Sequence, residues 1–430
     1  MKQKLQEPPG INCKMKMNPD RISNLPDNII EGILSHLPIS DAVRTSLLSS
    51  KWRYKWATVP YLVFDDRFYL FSSRNKAAIN SKIVSIVDRV LLLHLGPIQK
   101  FELSHREFLA VSDIDRWILH LSRSSIESIV LEICKGEAYR MPSCLFSCQS
   151  LTNLELRKCS LKPPSGFKGF RKLKKLDLQY VTFDQDVFEN LISSCPDLER
   201  LYLRDIVGLS RIKVNVPKLQ VFIFEGFIED ISFENTFNLA EVVFSYYENA
   251  KNTQSQALDN SSNLLKFFVN LSNIEMLRLN DYSLKYLAVG IGPHKLPQPC
   301  IKLHNLTMYI NLNNFEESIT SLSLLSSTPN LEEIEITVCP DEQAVDGIDT
   351  NFWQDGCWNC SFDKLRFVMI TGISGAKPEL DFMKFLISNS PVLERMEVTP
   401  ASTSVRWELV TKLLSFRRAS NRAEIIYMDP

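Results

Sequence analysis

The chain has 430 residues, with 49 Lys and Arg against 50 Asp and Glu for a formal net charge of −1. That length holds two or three domains with a sizeable core, and so even a balance excludes the basic excess of a nucleic-acid-binding surface. No stretch approaches a bilayer span; the longest apolar run, Val90 to Leu95, is short and follows Asp88 and Arg89.

Residues 1–18 are polar and proline-containing, and are expected to be a disordered tail. The stretch from Asp20 to Asp65 then organises the rest. Leu25-Pro26 opens a helix, with Asn24 available as cap and Pro26 tolerated in the first turn. Leu25, Ile29, Ile30, Ile33, Leu34 and Leu37 recur at helical spacing as one broad apolar face. Pro38 stops that helix. Ser40 and Asp41 can cap a second, carrying Val43, Leu47 and Leu48, and residues 51–56 read as a third. Three helices this short have more apolar surface than they can hide from one another.

The order Leu25-Pro26, Leu37-Pro38, Asp41-Ala42-Val43, Leu47-Leu48-Ser49, Trp52-Arg53 resembles an F-box. Asp20 to Pro26 and Asp41 to Ser46 more closely resemble the plant F-box/FBD/LRR-repeat family. Two departures are visible: Ile29-Ile30 where the family often has Leu-Leu, and Ser50-Lys51-Trp52 where it often has Lys-Arg-Trp. The resemblance implies docking on a Skp-family adaptor and, through it, on a cullin–RING ubiquitin ligase. It nominates Leu25, Pro26, Ile30, Leu34, Leu37, Pro38, Val43 and Leu47 as the adaptor-facing group. Some of these must instead hold the three helices together, and sequence does not partition them.

From Val59 onward one pattern returns: apolar, two residues, apolar, one residue, apolar. It runs from Val59-Leu62-Phe64 and Ile98-Phe101-Leu103 to Leu365-Val368-Ile370 and Leu393-Met396-Val398. From Ile98 the starts lie roughly 20 to 35 residues apart, near the leucine-rich-repeat period. Proline phrases precede several of them, as in Cys195-Pro196-Asp197-Leu198, Thr328-Pro329-Asn330-Leu331 and Ser390-Pro391-Val392-Leu393. Each proline ends a return helix, expected at 187–193, 319–325 and 382–387. Such turns must stack to bury a continuous core. The cysteines are scattered and no secretory signal is seen, which predicts reduced thiols and a nuclear or cytoplasmic protein. Cys134, Cys159 and Cys339 each fit a turn as a small thiol.

The fold class is therefore an α/β solenoid: a three-helix F-box (19–66), a linker and first repeat (67–97), and an irregular leucine-rich-repeat horseshoe (98–345). An FBD-like region with terminal repeats and cap (346–430) completes it, the tail from Phe362 resembling that part of the family. Its expected close is a helix near Trp407–Arg417 and a strand from Glu424 to Tyr427. Two polar interruptions, Tyr246 to Asn263 and Pro340 to Cys360, read as long loops, the second carrying Phe352, Trp353 and Trp358.

Period-2 alternation assigns the outward strand positions to the concave face. Candidate target-binding residues are Glu155, Arg157, Asp177, Gln179, Tyr202, Arg204, Arg278, Tyr309 and Glu335, a mixture that suits a protein partner.

No catalytic constellation is present in the sequence. Cys357-x-x-Cys360 lacks the second pair that structural zinc needs, the six histidines form no metal motif, and Gly290-Ile291-Gly292-Pro293 is too short to cradle phosphate. Lys168, Arg171, Lys172, Lys174 and Lys175 form the best basic patch, read as a solvated convex loop. The expectation is a non-catalytic receptor subunit of an SCF-type ubiquitin ligase, without metal or cofactor, nucleic acid or membrane. The alternative is a leucine-rich-repeat scaffold or receptor outside any ligase.

Overall fold

The computed structural model describes residues 22, 25–67, 76–247, 263–288, 296, 298–339, 360–402 and 406–430. The Asn24 cap, most of both predicted long loops, the Gly290–Pro293 phrase and Cys357 lie outside them.

Each apolar-x-apolar phrase forms a short strand, and the strands stack side by side into one 14-stranded sheet. Every neighbouring pair in it is parallel, from β1 (Tyr61–Phe64) with β2 (Lys100–Leu103) and β3 (Ser128–Glu132) to Arg395–Pro400 with Glu424–Tyr427. Parallel neighbours need a crossover, and the return segments supply it as helices, loops or short outer strands. The register is what the period demands. Leu62, Phe101, Ile129, Leu154, Leu176 and Leu201 fall opposite one another and are fully buried. The column continues through Phe222, Val242, Leu277, Leu306, Ile334, Val368 and Met396. Phenylalanine joins the stack at Phe222, Phe224 and Phe244, and Phe244 packs on Phe267 at 5.3 Å between ring centroids.

The return helices form at Gln185–Ser193, Phe315–Leu325 and Lys377–Ser388, each starting earlier than the sequence indicates. Their first turns are polar, so hydrophobic periodicity does not register them. The turn thiols behave alike: Cys159 Sγ donates to the Arg157 carbonyl at 3.4 Å, and Cys134 and Cys339 point at the carbonyls of Glu132 and Thr337.

In three successive turns a residue other than glycine follows the strand with positive φ: Lys158, Tyr180 and Asp205. The N–H of each donates at 2.8 Å to a carbonyl at the end of the next strand, at Gln179, Arg204 and Glu225 respectively. The left-handed conformation thus adds one more rung to the parallel ladder before the chain turns away.

At the beginning, α1 spans Asp27–Ser35 and α2 spans Ile39–Arg44, with Pro26 and Pro38 at their N-caps. Neither Ser40 nor Asp41 caps α2, because Pro38 already occupies that position. The expected third helix is instead a run of turns ending in a 3-10 turn at Lys55–Thr58. Trp52 and Trp56 are spent on the core there, and burying two indoles in so short a segment leaves no regular helical face. Four helices are not foreseen from sequence: Asp113–Ser122, Asn263–Phe268, Ser283–Ala288 and, the longest of them, α3, Lys76–Leu93, which lies where only a linker and first repeat are expected. The apolar residues of α3 cross from return helix into surface, with Val87 buried and Leu92 exposed, so the helical period is blurred.

The helical unit is not a loose appendage. Ile39, Ala42, Trp56 and Val59 belong to the same continuous core as the repeats. The Pro60 carbonyl accepts N–H bonds from Gln99 and Lys100, and Leu95 N–H bonds the Ala57 carbonyl at 2.9 Å. At the far end Leu409 and Leu413 of the helix Arg406–Ser415 are buried, and the strand Glu424–Tyr427 forms the last edge. A solenoid needs such end caps to keep its open core from water.

Candidate functional site

Two surfaces stand out. The first is the helical unit, where the eight nominated residues divide. Ile30 and Leu34 are wholly buried by this chain and present no surface; they are structural. Leu25 and Leu37 are partly buried against the core, and Pro38 is half-buried. Pro26, Val43 and Leu47 are exposed, Leu47 at 89%. The open apolar set also includes Ile29 (45%), Ile33 (40%) and Leu48 (55%), which the nominated group omits. The reason is geometric. Positions i and i+1 on a helix differ by about 100°, so the stripe through Ile29 and Ile33 and the stripe through Ile30 and Leu34 cannot both meet the same neighbour. The sequence shows an arc too wide to cover; only packing shows which edge stays uncovered.

Charges hold the exposed stripe in place. Lys55 Nζ lies 3.0 Å from Asp27 Oδ2 and 3.9 Å from Glu31 Oε1, joining the last turn of the unit to α1. The hydrogen bond from Lys55 holds the Asp27 carboxyl below the usual carboxylate range. Trp52 Nε1 donates to the Ile22 carbonyl at 3.2 Å.

The second surface is the open face of the sheet, and all nine nominated residues lie on its outward positions. They form two groups. Glu155, Arg157, Asp177, Gln179, Tyr202 and Arg204 sit on three adjacent strands, with Glu155 opposite Asp177, Asp177 opposite Tyr202, and Gln179 between Arg157 and Arg204. Arg278 and Glu335 flank Thr307 on the next group of strands, with Tyr309 opposite Thr337. The aliphatic Ile223 and Val243 separate the two groups.

The first group is knitted together. Glu155 accepts from Asn153 Nδ2 at 3.0 Å and Lys175 Nζ at 2.8 Å, and Lys175 also lies 5.2 Å over the Tyr202 ring. Asp177 is buried, accepts Gln179 Nε2 at 3.1 Å, and burial pushes its carboxyl above the usual range. Arg204 Nε is 3.3 Å from Glu225. The Arg157 guanidinium stands 5.5 Å over the Tyr180 ring. Tyr180 is exposed and Tyr247 donates its hydroxyl to Asp205, so an aromatic rim borders this group. The outward alternation misses Tyr180, Asp205 and Tyr247 because they follow the strands. Asp is at home in the left-handed region, but Tyr is not, and no local signal marks Tyr180.

Among the described residues no cluster of His, Cys, Asp or Glu could hold a metal ion, and no helix is long and apolar enough to cross a membrane. Among the described residues, Cys134, Cys144, Cys148, Cys159, Cys195 and Cys300 are reduced thiols.

A short helical unit with an uncovered apolar arc, continuous with leucine-rich repeats, defines an F-box protein of the repeat-bearing class. The family model of the F-box domain matches residues 22–64, that of the FBD residues 359–398, and that of the LRR repeats of FBD-associated F-box protein At5g56370 residues 114–336. F-box/FBD/LRR-repeat protein At1g13570 of Arabidopsis thaliana is 37% identical over 424 residues, 96% of this chain and all of that relative. F-box/FBD/LRR-repeat protein At3g52680 of the same plant is 25% identical over 472 residues, covering 99% of this chain and 97% of its own. The chain belongs to the plant F-box/FBD/LRR-repeat family.

Proposed function

We propose that this chain is the substrate-receptor subunit of an SCF-type ubiquitin ligase, working in the nucleus or cytoplasm. The helical unit binds a Skp-family adaptor and the open face of the sheet binds the protein to be ubiquitinated. One observation carries the reading: Ile29, Ile33, Leu47 and Leu48 stay exposed on a unit whose other side is sealed into the repeats. Several large apolar side chains left exposed on one small unit mark an interaction surface.

On this reading the chain breaks no bond itself. It is a spacer with a binding site at each end. The shared core fixes the direction in which the target is offered, and tethering raises the target's effective concentration at the ubiquitin-charged enzyme. The open-face residues contribute Tyr and Arg, the side chains that dominate binding energy at protein interfaces.

The test is co-expression with a Skp-family adaptor. Ile33→Asp with Leu47→Asp should abolish co-purification while leaving the melting temperature close to that of the parent. Undiminished co-purification overturns the reading and leaves the scaffold alternative.

A further inference from the structure

We propose that the chain carries a binding pocket for a small amphiphilic anion, an aromatic or apolar body with one carboxylate or phosphate head, on the return side of the sheet. This inference is independent of the ligase reading and uses none of the residues named for it.

The cavity holds about 510 Å³ and opens between the 3-10 turn Ser143–Ser147 and the loop at 164–171. It is an open cleft, lined by both polar and apolar side chains, with room for a small organic ligand. Its apolar wall is Phe146 and Phe167, which meet edge to face at 5.0 Å. Phe170 backs both, 6.0 Å from Phe146 and 4.9 Å from Phe167. Interlocked rings of this kind give a wall with fixed edges, not a soft one.

Lys168 and Arg171 line the cavity and are both exposed. Neither makes an ion pair or side-chain hydrogen bond among the described residues. Their neighbours do: Lys174 is 3.1 Å from Glu199 and Lys175 is 2.8 Å from Glu155. Residues 157–175 contain no Asp or Glu at all, so every charge the segment itself carries is positive. A guanidinium and an ammonium beside an aromatic wall are complementary to an anionic head on an apolar body.

The loop that holds them is built, not incidental. Gly169 has φ +86° and a Cβ there would lie 1.8 Å from the Ser194 carbonyl oxygen, so the backbone is pressed against the next repeat. The Phe167 N–H bonds the Pro164 carbonyl at 3.0 Å, and Leu173 N–H bonds that of Phe170 at 3.2 Å. Phe170 is buried, which anchors the segment between the two cations. A basic run that sequence assigns to ordinary solvation therefore lies at the mouth of a cavity.

The probes are naphthalene-2-carboxylate, naphthyl phosphate and the neutral naphthalene-2-methanol, titrated into the full chain by calorimetry and saturation-transfer NMR. At least one anion should bind with a dissociation constant below ~1 mM, and the neutral probe about ten-fold more weakly, as expected for charge-assisted contacts. The stronger anion identifies the head group. Lys168→Gln with Arg171→Gln should weaken the anion about ten-fold and bring it level with the neutral probe. Gly166→Leu adds a bulky side chain to the cavity wall and should weaken binding of all three; a Cβ there meets nothing within 4 Å, so the fold tolerates it. No anion binding by the parent chain overturns the proposal. So does equal affinity for the neutral probe, or binding unchanged in either variant.

Discussion

Glu379 Oε2 accepts the backbone N–H of Gly375 at 2.8 Å. The same oxygen accepts Ser374 N–H at 2.9 Å and Ala376 N–H at 3.2 Å, while Oε1 takes the Ser374 hydroxyl at 2.8 Å. One buried carboxylate thus satisfies the turn that leads from the strand Phe367–Ile373 into the helix Lys377–Ser388. Glu317 does the same for Asn311 N–H at 2.9 Å in an earlier repeat. Both stand in the first turn of their helix, where negative charge is also favoured by the helix dipole.

Glu379→Ala should therefore destabilise the C-terminal repeats by about 1–3 kcal/mol, since it removes the shared acceptor of several part-buried donors at once. Urea denaturation of the parent and variant checks this, and a shift of the midpoint corresponding to less than about 1 kcal/mol would show that water replaces the carboxylate.

Two glycines should respond in opposite directions. Gly169→Ala meets both a left-handed backbone and the Ser194 carbonyl oxygen at 1.8 Å, so it should lower the melting temperature sharply. Gly32 lies inside α1 with nothing within 4 Å of an added Cβ. Gly32→Ala should stabilise by about 0.5–1 kcal/mol through helix propensity alone. Parallel thermal melts compare the two, and a loss of stability in Gly32→Ala would contradict the reasoning.

Burial pushes the thiols of Cys148, Cys159 and Cys300 up to about 12, and that of Cys195 to about 11. An unfolded thiol ionises near ~8.5. Above that pH the unfolded chain releases protons that the folded chain keeps. Their contribution to stability is full below ~8.5 and declines as pH rises toward the folded values. At pH 8.5 iodoacetamide should leave these four unmodified in the folded protein and label them all in urea. Mass spectrometry of digests decides it, and equal labelling in both states would show the sites are open.

Within the F-box, stability and binding should separate. Leu34→Ala removes a fully buried side chain and should cost about 2–5 kcal/mol. Leu47→Asp changes a side chain that is 89% exposed and should stay within about 0.5 kcal/mol while abolishing adaptor capture. Loss of stability without loss of binding in Leu47→Asp would reverse the assignment.

The repeat phrase was legible because it is local and redundant. A strand of alternating period announces its own inward residues, as with Leu154 and Leu156 or Leu201 and Leu203, and many phrases in phase define a parallel stack before any contact is known. The helix α3 was not legible, since its apolar residues serve burial at Val87 and exposure at Leu92 on one continuous segment. Nor were the rim residues Tyr180 and Asp205, whose left-handed backbone is imposed by the neighbouring strand.

Sequence alone determined that the first helices carry a wider apolar arc than they can cover, because helical periodicity is a property of the chain itself. Whether Ile30 or Ile33 lies inside was decided only when Ile39, Trp56 and Val59 docked on the first strands. Likewise Lys168 and Arg171 are ordinary cations in sequence. They acquire an aromatic wall only because Phe146, a repeat earlier, is brought against Phe167. Local period is encoded residue by residue, whereas exposure depends on which distant surface arrives first to cover it.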